Sequence, residues 1–219
     1  MIITIDGPAG SGKSTVSRLL AERLGFRFLD TGAMYRAIAL AVLRASAEPA
    51  NRAATATAAR SAQLQFIEDR LLLNGEDVSL AIRSPEVSAA ASIVAASPDV
   101  RERMVELQRE VGDGGSLVTE GRDQGTVVFP RAECKFFLTA SVSARAERRV
   151  RDLQQRGIVQ SLQEVQQQIQ DRDQRDEERE LAPMRPADDA IILETSELSI
   201  DEVLERMLQL VAECNGRPE

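Results

Sequence analysis

The chain of 219 residues contains no histidine at all. No Ser-His-Asp triad, no Cys-His pair and none of the usual zinc sites can therefore be built from it, and whatever chemistry it carries runs without an imidazole. Cysteine is nearly as scarce. Cys134 stands in an apolar run and Cys214 near the C-terminus, with neither a C-x-x-C spacing nor a histidine beside them, and both are expected to be reduced thiols. No apolar stretch is long enough to span a bilayer, and Met1 leads straight into Ile2, Ile3 and Ile5 with no room for a charged leader. The expectation is a cytoplasmic chain without a membrane partner. Positive charge is also in deficit, with 27 Lys and Arg against 35 Asp and Glu and a formal charge of −8. That balance argues against a nucleic-acid or anionic-membrane surface and leaves room only for a local basic cleft.

What is present is an alternation. Short runs rich in β-branched and aromatic residues fall at 2–6, 27–30, 116–121, 134–140 and 190–195, separated by helical patterns at 13–24, 31–45, 85–111 (broken at Pro98), 141–155, 162–180 and 199–213. Strands interleaved with helices predict an α/β chain with a parallel sheet covered on both faces. Two segments break the alternation. Residues 46–111 open as an Ala/Thr-rich connector and continue into β-like runs flanking Asn74-Gly75, a strong hairpin dipeptide. Residues 145–180 are charged, Gln-rich and poor in apolar side chains, as an exposed helical lid would be. The expected organisation is one domain, with a core of 1–45, 112–144 and 181–219 and insertions at 46–111 and 145–180.

The first strand runs into Gly7-Pro8-Ala9-Gly10-Ser11-Gly12-Lys13-Ser14-Thr15, which matches G-x-x-x-x-G-K-[ST] in its strand-to-helix context. The glycines let successive backbone N–H groups face an anion, and the helix N-terminus adds positive potential. Lys13 reaches the β/γ-phosphates and Ser14 a magnesium ion. The chain is thus expected to bind ATP, or a similar nucleoside triphosphate, with Mg²⁺. A GTP switch would need an N-K-x-D reader, and none of Asn51, Asn74 and Asn215 precedes a lysine.

A kinase needs an acceptor site as well, and the arginines describe it. In DRDQRDEERE (171–180) Arg172, Arg175 and Arg179 fall within roughly 60° of one another on a helix, beside Asp176. Placing Arg175 and Arg179 at i,i+4 costs an isolated helix about 0.2–0.5 kcal/mol, a penalty reversed if that face meets phosphate. Arg145, Arg148 and Arg149 share a second face. One or two of them are expected to touch ATP, with Arg148 and Arg149 the assigned pair. Arg36 in DTGAMYR and Arg122 in TEGRD sit near strand ends, where open α/β sheets bind ligands. A phosphate acceptor accounts for the missing histidine. With a second pKa near about 6 it is already mostly dianionic at neutral pH, so positioning and charge cancellation replace a general base.

DGPAGSGKST, DTGAMYRAIAL, GEDVSLAIRSPEVSAAASIVAASPDVRERM, EGRDQGTVVFP and DRDQRDEER together resemble, in order and spacing, the bacterial cytidylate kinase family of P-loop nucleoside monophosphate kinases. The resemblance covers nearly the whole chain. It implies a P-loop NTPase fold with a five-stranded parallel sheet, an NMP-binding insertion and a lid. The implied reaction is phosphoryl transfer from MgATP to CMP or dCMP by a monomer, with Lys13, Arg122, Arg172 and Arg179 catalytic. Ser92, Arg101 and Asp123 look like the cytosine reader, Asp123 accepting from the exocyclic amino group that uracil lacks. Arg36, Arg122 and Arg179 resemble the clamp on the acceptor phosphate, Arg172 and Asp176 the ribose contacts, and Thr31 the small hydroxyl near the acceptor. Glu120 stands where many P-loop kinases have an aspartate and, one methylene longer, is expected to reach magnesium through water. Two rivals remain open at this stage: another small P-loop kinase, of adenylate or eukaryotic UMP/CMP type, and a nucleotide-binding regulator that transfers nothing.

Overall fold

The computed structural model describes residues 1–67, 70–155 and 157–215. In chain order the elements begin with β1 (Ile2–Asp6), α1 (Lys13–Leu24), β2 (Arg27–Asp30), α2 (Thr31–Arg44) and α3 (Arg52–Ser61). A small sheet follows, β3 (Leu64–Ile67), β4 (Arg70–Leu73) and β5 (Glu76–Asp77), and then α4 (Pro85–Val94) and α5 (Pro98–Gly112). The chain continues through β6 (Leu117–Glu120), β7 (Cys134–Thr139), α6 (Val142–Gln155), α7 (Leu162–Glu178), β8 (Ile191–Glu194) and α8 (Ile200–Asn215). By contacts it divides into two compact units, Met1–Leu29 with Gly114–Glu219, and Asp30–Asp113.

The first unit holds a five-stranded parallel sheet in the order β2-β6-β1-β7-β8. Central β1 pairs with β6 through Ile2 to Ile5 and with β7 through Ile3 to Asp6. Both faces of these strands are covered, so they read as nearly continuous apolar runs. Ile3, Ile5, Val118, Phe136 and Leu138 pack with Val16 and Leu20 of α1 and with Val203, Leu204 and Met207 of α8. Within the same unit α6 and α7 form a helical hairpin whose small core is Ala146, Leu153, Val165 and Ile169. A capping box fixes the start of α7: Ser161 Oγ accepts from Glu164 N at 3.2 Å while Glu164 Oε2 accepts from Ser161 N at 2.8 Å.

The second unit takes in α2, which the sequence reading assigned to the core. The apolar face of α2, with Ala37 and Ile38 buried, packs against α3 and α4. Residues 51–61 are also more than a connector. Asn51 Oδ1 accepts from Ala54 N at 3.1 Å and caps helix α3, since alanine-rich sequence is strongly helical once its first turn is capped. The expected hairpin turn is present, with Asn74 (φ 52) and Gly75 (φ 84) both left-handed between β4 and β5.

One expectation is overturned. Cys134 and Cys214 are joined as a disulfide, with Cα atoms 5.8 Å apart. A separation of 80 positions hides the pairing in sequence; it arises because the end of α8 packs on the core beside the start of β7. Among the described residues no helix is long and apolar enough to cross a membrane.

Candidate active site

The loop after β1 has the geometry of a phosphate cradle. Gly7 has φ +138, and a Cβ there would lie 2.0 Å from the Leu138 carbonyl oxygen, so the close passage of the loop over β7 admits only glycine. Gly12, at φ 89, caps α1, whose first amides have no acceptor within the helix and point their positive potential into the loop. Ser11 Oγ donates to Pro8 O at 3.1 Å. Lys13, the first residue of the helix, folds back so that Nζ donates to Pro8 O at 2.6 Å. It is buried, and burial, followed by the nearby Arg122 guanidinium, draws its ammonium down to about 7 against the opposing pull of Glu120.

At the foot of the cradle Ser14 Oγ donates to Glu120 Oε1 at 2.5 Å. A hydroxyl and a carboxylate oxygen this close form a hard oxygen donor pair. They suit Mg²⁺, which takes few protein ligands and keeps water and phosphate oxygens for the rest of its shell.

The residues of the first unit that the sequence assigns to an acceptor site converge. Arg122 Nε donates to Asp176 Oδ2 at 2.9 Å, Arg172 Nε lies 3.9 Å from the same oxygen, and Arg179 Nη2 lies 3.6 Å from Asp123 Oδ1. Asp123 and Asp176 are both buried. Burial opposes ionisation of Asp176, but Arg122, Arg172 and Arg179 outweigh it and hold the carboxyl below its usual range. Arg122 is held above its ordinary value, desolvation being overcome by Asp176 and Glu120. One feature of the expected helix face fails. Helix α7 ends at Glu178 and Arg179 is extended (φ −61, ψ 137), with Nε donating to Ala182 O at 2.6 Å, while Arg175 is exposed. A break in the backbone, rather than the helical period, carries Arg179 to Asp123.

The α6–α7 hairpin grips the cradle. Arg145 Nη1 donates to Ala9 O at 3.0 Å and pairs with Asp173, whose other oxygen accepts from Ala9 N at 3.4 Å. Both backbone polar groups of one loop residue, Ala9, are thereby tied to the hairpin, and a Cβ on Gly10 would press on Arg145 Cβ at 3.2 Å. Arg148 is directed to the segment after β8. Its Nη2 donates to the Thr195 carbonyl and its Nη1 lies 3.3 Å from Thr195 Oγ1, a hydroxyl that itself donates to Ser11 O at 3.3 Å. Arg149 is partly buried on the same helix.

In the second unit Asp30 Oδ1 caps α2 by accepting from Ala33 N at 2.8 Å, while Arg36 Nη2 donates to Oδ2 at 3.1 Å. Thr31 and Arg101 are buried. Ser92 Oγ donates to Ala89 O at 3.0 Å within α4. Sequence reasoning missed Asp173, Thr195 and Asp6. The i,i+3 spacing of Asp173 and Asp176 is a usable signal for the first, whereas the other two depend on contacts between distant segments.

The sheet order, the phosphate loop at the end of the central strand and the hairpin over it define a P-loop phosphotransferase fold. Two solved structures share that fold across nearly their whole length: an uncharacterized protein from Eubacterium ventriosum (TM-score 0.55, 16% identity, 97% of this chain and 98% of that one) and a shikimate kinase from Acinetobacter baumannii (0.51, 19%, 99% and 95%). The cytidylate kinase family profile matches residues 3–213. Cytidylate kinases from Syntrophotalea carbinolica and Vibrio cholerae are 47% and 46% identical to the chain, covering 97% and 96% of it and 92% and 95% of their own lengths. The chain belongs to the cytidylate kinase family.

Proposed function

We propose that the chain transfers the γ-phosphoryl group of MgATP to CMP or dCMP, giving ADP and CDP or dCDP, as a cytoplasmic monomer. The observation that carries the reading is the cluster of partly buried Arg122, Arg172 and Arg179 around the buried carboxylates of Asp123 and Asp176, close enough to the phosphate loop for Arg122 and Arg172 to depress Lys13. A protein that only binds ATP has no use for a second anion site of this kind.

Each group has one task on this reading. The amides of Gly7–Thr15 cradle the donor phosphates, and Lys13 moves from Pro8 O to their oxygens. Arg122 and Arg179 hold the acceptor phosphate, Arg172 and Asp176 meet its ribose side, and Asp123 accepts from the cytosine amino group. Arg148 and Arg149 serve the donor. Thr31, Arg36, Ser92 and Arg101 are assigned contacts to the acceptor from the family resemblance. Ser14, and Glu120 through water, would hold magnesium, which would supply charge neutralisation on the triphosphate. The acceptor dianion attacks in line without a general base, and the arginines cancel the repulsion between the two phosphates. Residues 145–180 act as the lid that excludes water and so suppresses ATP hydrolysis, and 46–111 as the NMP-binding insertion. The test is ADP formation from MgATP that depends on added CMP and disappears in Lys13→Ala with the circular dichroism of the wild type. Turnover retained in that variant would sink the mechanism.

A further inference from the structure

Asp6 is the last residue of β1 and immediately precedes the phosphate loop, yet both of its carboxylate oxygens serve a different segment. Oδ1 accepts from Gln124 N at 2.9 Å and Oδ2 from Gly125 N at 2.8 Å. These two amides open the turn Gln124–Val128 that follows β6, and the Asp123 carbonyl accepts from Val127 N and Val128 N at 2.9 and 3.3 Å within that turn. Gln124 is pinned a second time, by Thr119 Oγ1 donating to its Oε1 at 2.9 Å. Gly125 is closely packed, since a Cβ would stand 3.0 Å from Thr4 Oγ1, 3.2 Å from Lys135 Cδ and 3.5 Å from Asp6 Oδ2. Asp6, Thr119, Asp123 and Gln124 are all at most 5% exposed, so this clamp is built of charge-assisted and neutral hydrogen bonds shielded from water.

We infer that Asp6 is a positioning residue for acceptor specificity: by holding two successive amides it fixes the backbone on which Asp123 is mounted, and hence which pyrimidine the site accepts. This rests on the reading of Asp123 as the group that meets the cytosine amino group. The Asp123 side chain leaves the backbone one residue before the clamped amides, at φ −146 and ψ 23, so a shift of the 123–124 peptide unit that carries the Asp123 Cα with it displaces the carboxylate. A displacement of about 1 Å at a group that must meet a single hydrogen-bond donor can cost on the order of 10²-fold in rate. Asp6 therefore connects the strand that carries the phosphate loop with the loop that reads the base.

The test is Asp6→Asn, which keeps the side-chain volume but turns one oxygen into an NH₂ facing a backbone N–H, so one clamp bond becomes a donor–donor contact. Measured at about pH 8, where wild-type Asp6, raised by burial to about 7, is the carboxylate, the ratio of kcat/KM for CMP over UMP should fall by about tenfold or more. KM for CMP should rise and KM for ATP hold within about twofold. A purely structural role would lower both acceptors alike and leave the ratio unchanged. Asp123→Ala is measured alongside. If it collapses the ratio while Asp6→Asn does not, the inference is overturned and the reading of Asp123 stands. If Asp123→Ala leaves the ratio intact, that reading fails and takes the inference with it. Should Asp6→Asn not fold, Thr119→Val, which frees the Gln124 side chain without touching Asp6, decides: a reduced ratio supports the clamp, and an unchanged one overturns it.

Discussion

ATP binding should take up a proton at Lys13. In the ligand-free protein burial and Arg122 draw this ammonium from 10.5 to about 7. A bound triphosphate places several negative charges within its reach and restores a pKa near or above the ordinary value. At pH 7 Lys13 is about half protonated before binding and at pH 9 about 1%, so if only the protonated form binds well the affinity for MgATP falls about 50-fold, or about 2.3 kcal/mol, between those two pH values. The sign follows from the direction of the shift: a lysine whose pKa rises on binding makes binding weaker as pH climbs through its free-state value. Calorimetric titration at about pH 8.5 in buffers of different ionisation enthalpy should give an uptake of about one proton per ATP. Asp6, drawn up to about 7 chiefly by burial, is already ionised there and contributes little. Lys13→Arg, which cannot lose its charge, should abolish the uptake. No proton exchange at pH 8.5, with affinity flat from 7 to 9, would refute the reasoning.

Three further outcomes follow from the same geometry. Asp123→Ala should lower kcat/KM for CMP by about 10²-fold or more while barely affecting UMP, because a site built to pair with an amino group is left unmatched; steady-state kinetics with the two acceptors reads this. Asp173→Asn breaks the pairing of Arg145 with the phosphate loop, a contact whose partners are 6% and 11% exposed. It should destabilise the protein by about 3 kcal/mol and raise KM for ATP more than KM for CMP, and equal effects on the two would remove Arg145 and Asp173 from the support of the cradle. Reducing the Cys134–Cys214 disulfide, which closes a loop of 80 residues, should lower stability by up to about 4 kcal/mol. Thermal unfolding with and without reductant, with intact mass to confirm the gain of two hydrogen atoms on reduction, measures it.

The parts of this account legible in sequence are those set by local rules. The five strands, the phosphate loop and the Asn74-Gly75 turn follow from apolar runs, glycine spacing and turn chemistry, and the structure places them within a residue or so of expectation. What was misread or missed depends on tertiary contact. Cys134 and Cys214 look like separate thiols until α8 lies along the sheet. Arg175 looks equivalent to Arg179 only if α7 continues to 180; the helix stops at Glu178, and the extended backbone at Arg179 separates the two. The Asp6 clamp joins residues more than a hundred positions apart, and no spacing rule within one segment points to it. Asp173 had a local signal in its spacing from Asp176, but its partner Ala9 lies in another part of the chain.

The most direct test of the central claim is ADP release by the purified protein with MgATP and, in turn, CMP, dCMP, UMP, AMP and GMP. The account predicts strong turnover with CMP and dCMP, weak turnover with UMP and little with the purine nucleotides. A preference for another acceptor would contradict the base assignment, and ATP binding with no turnover on any of the five would contradict the kinase itself.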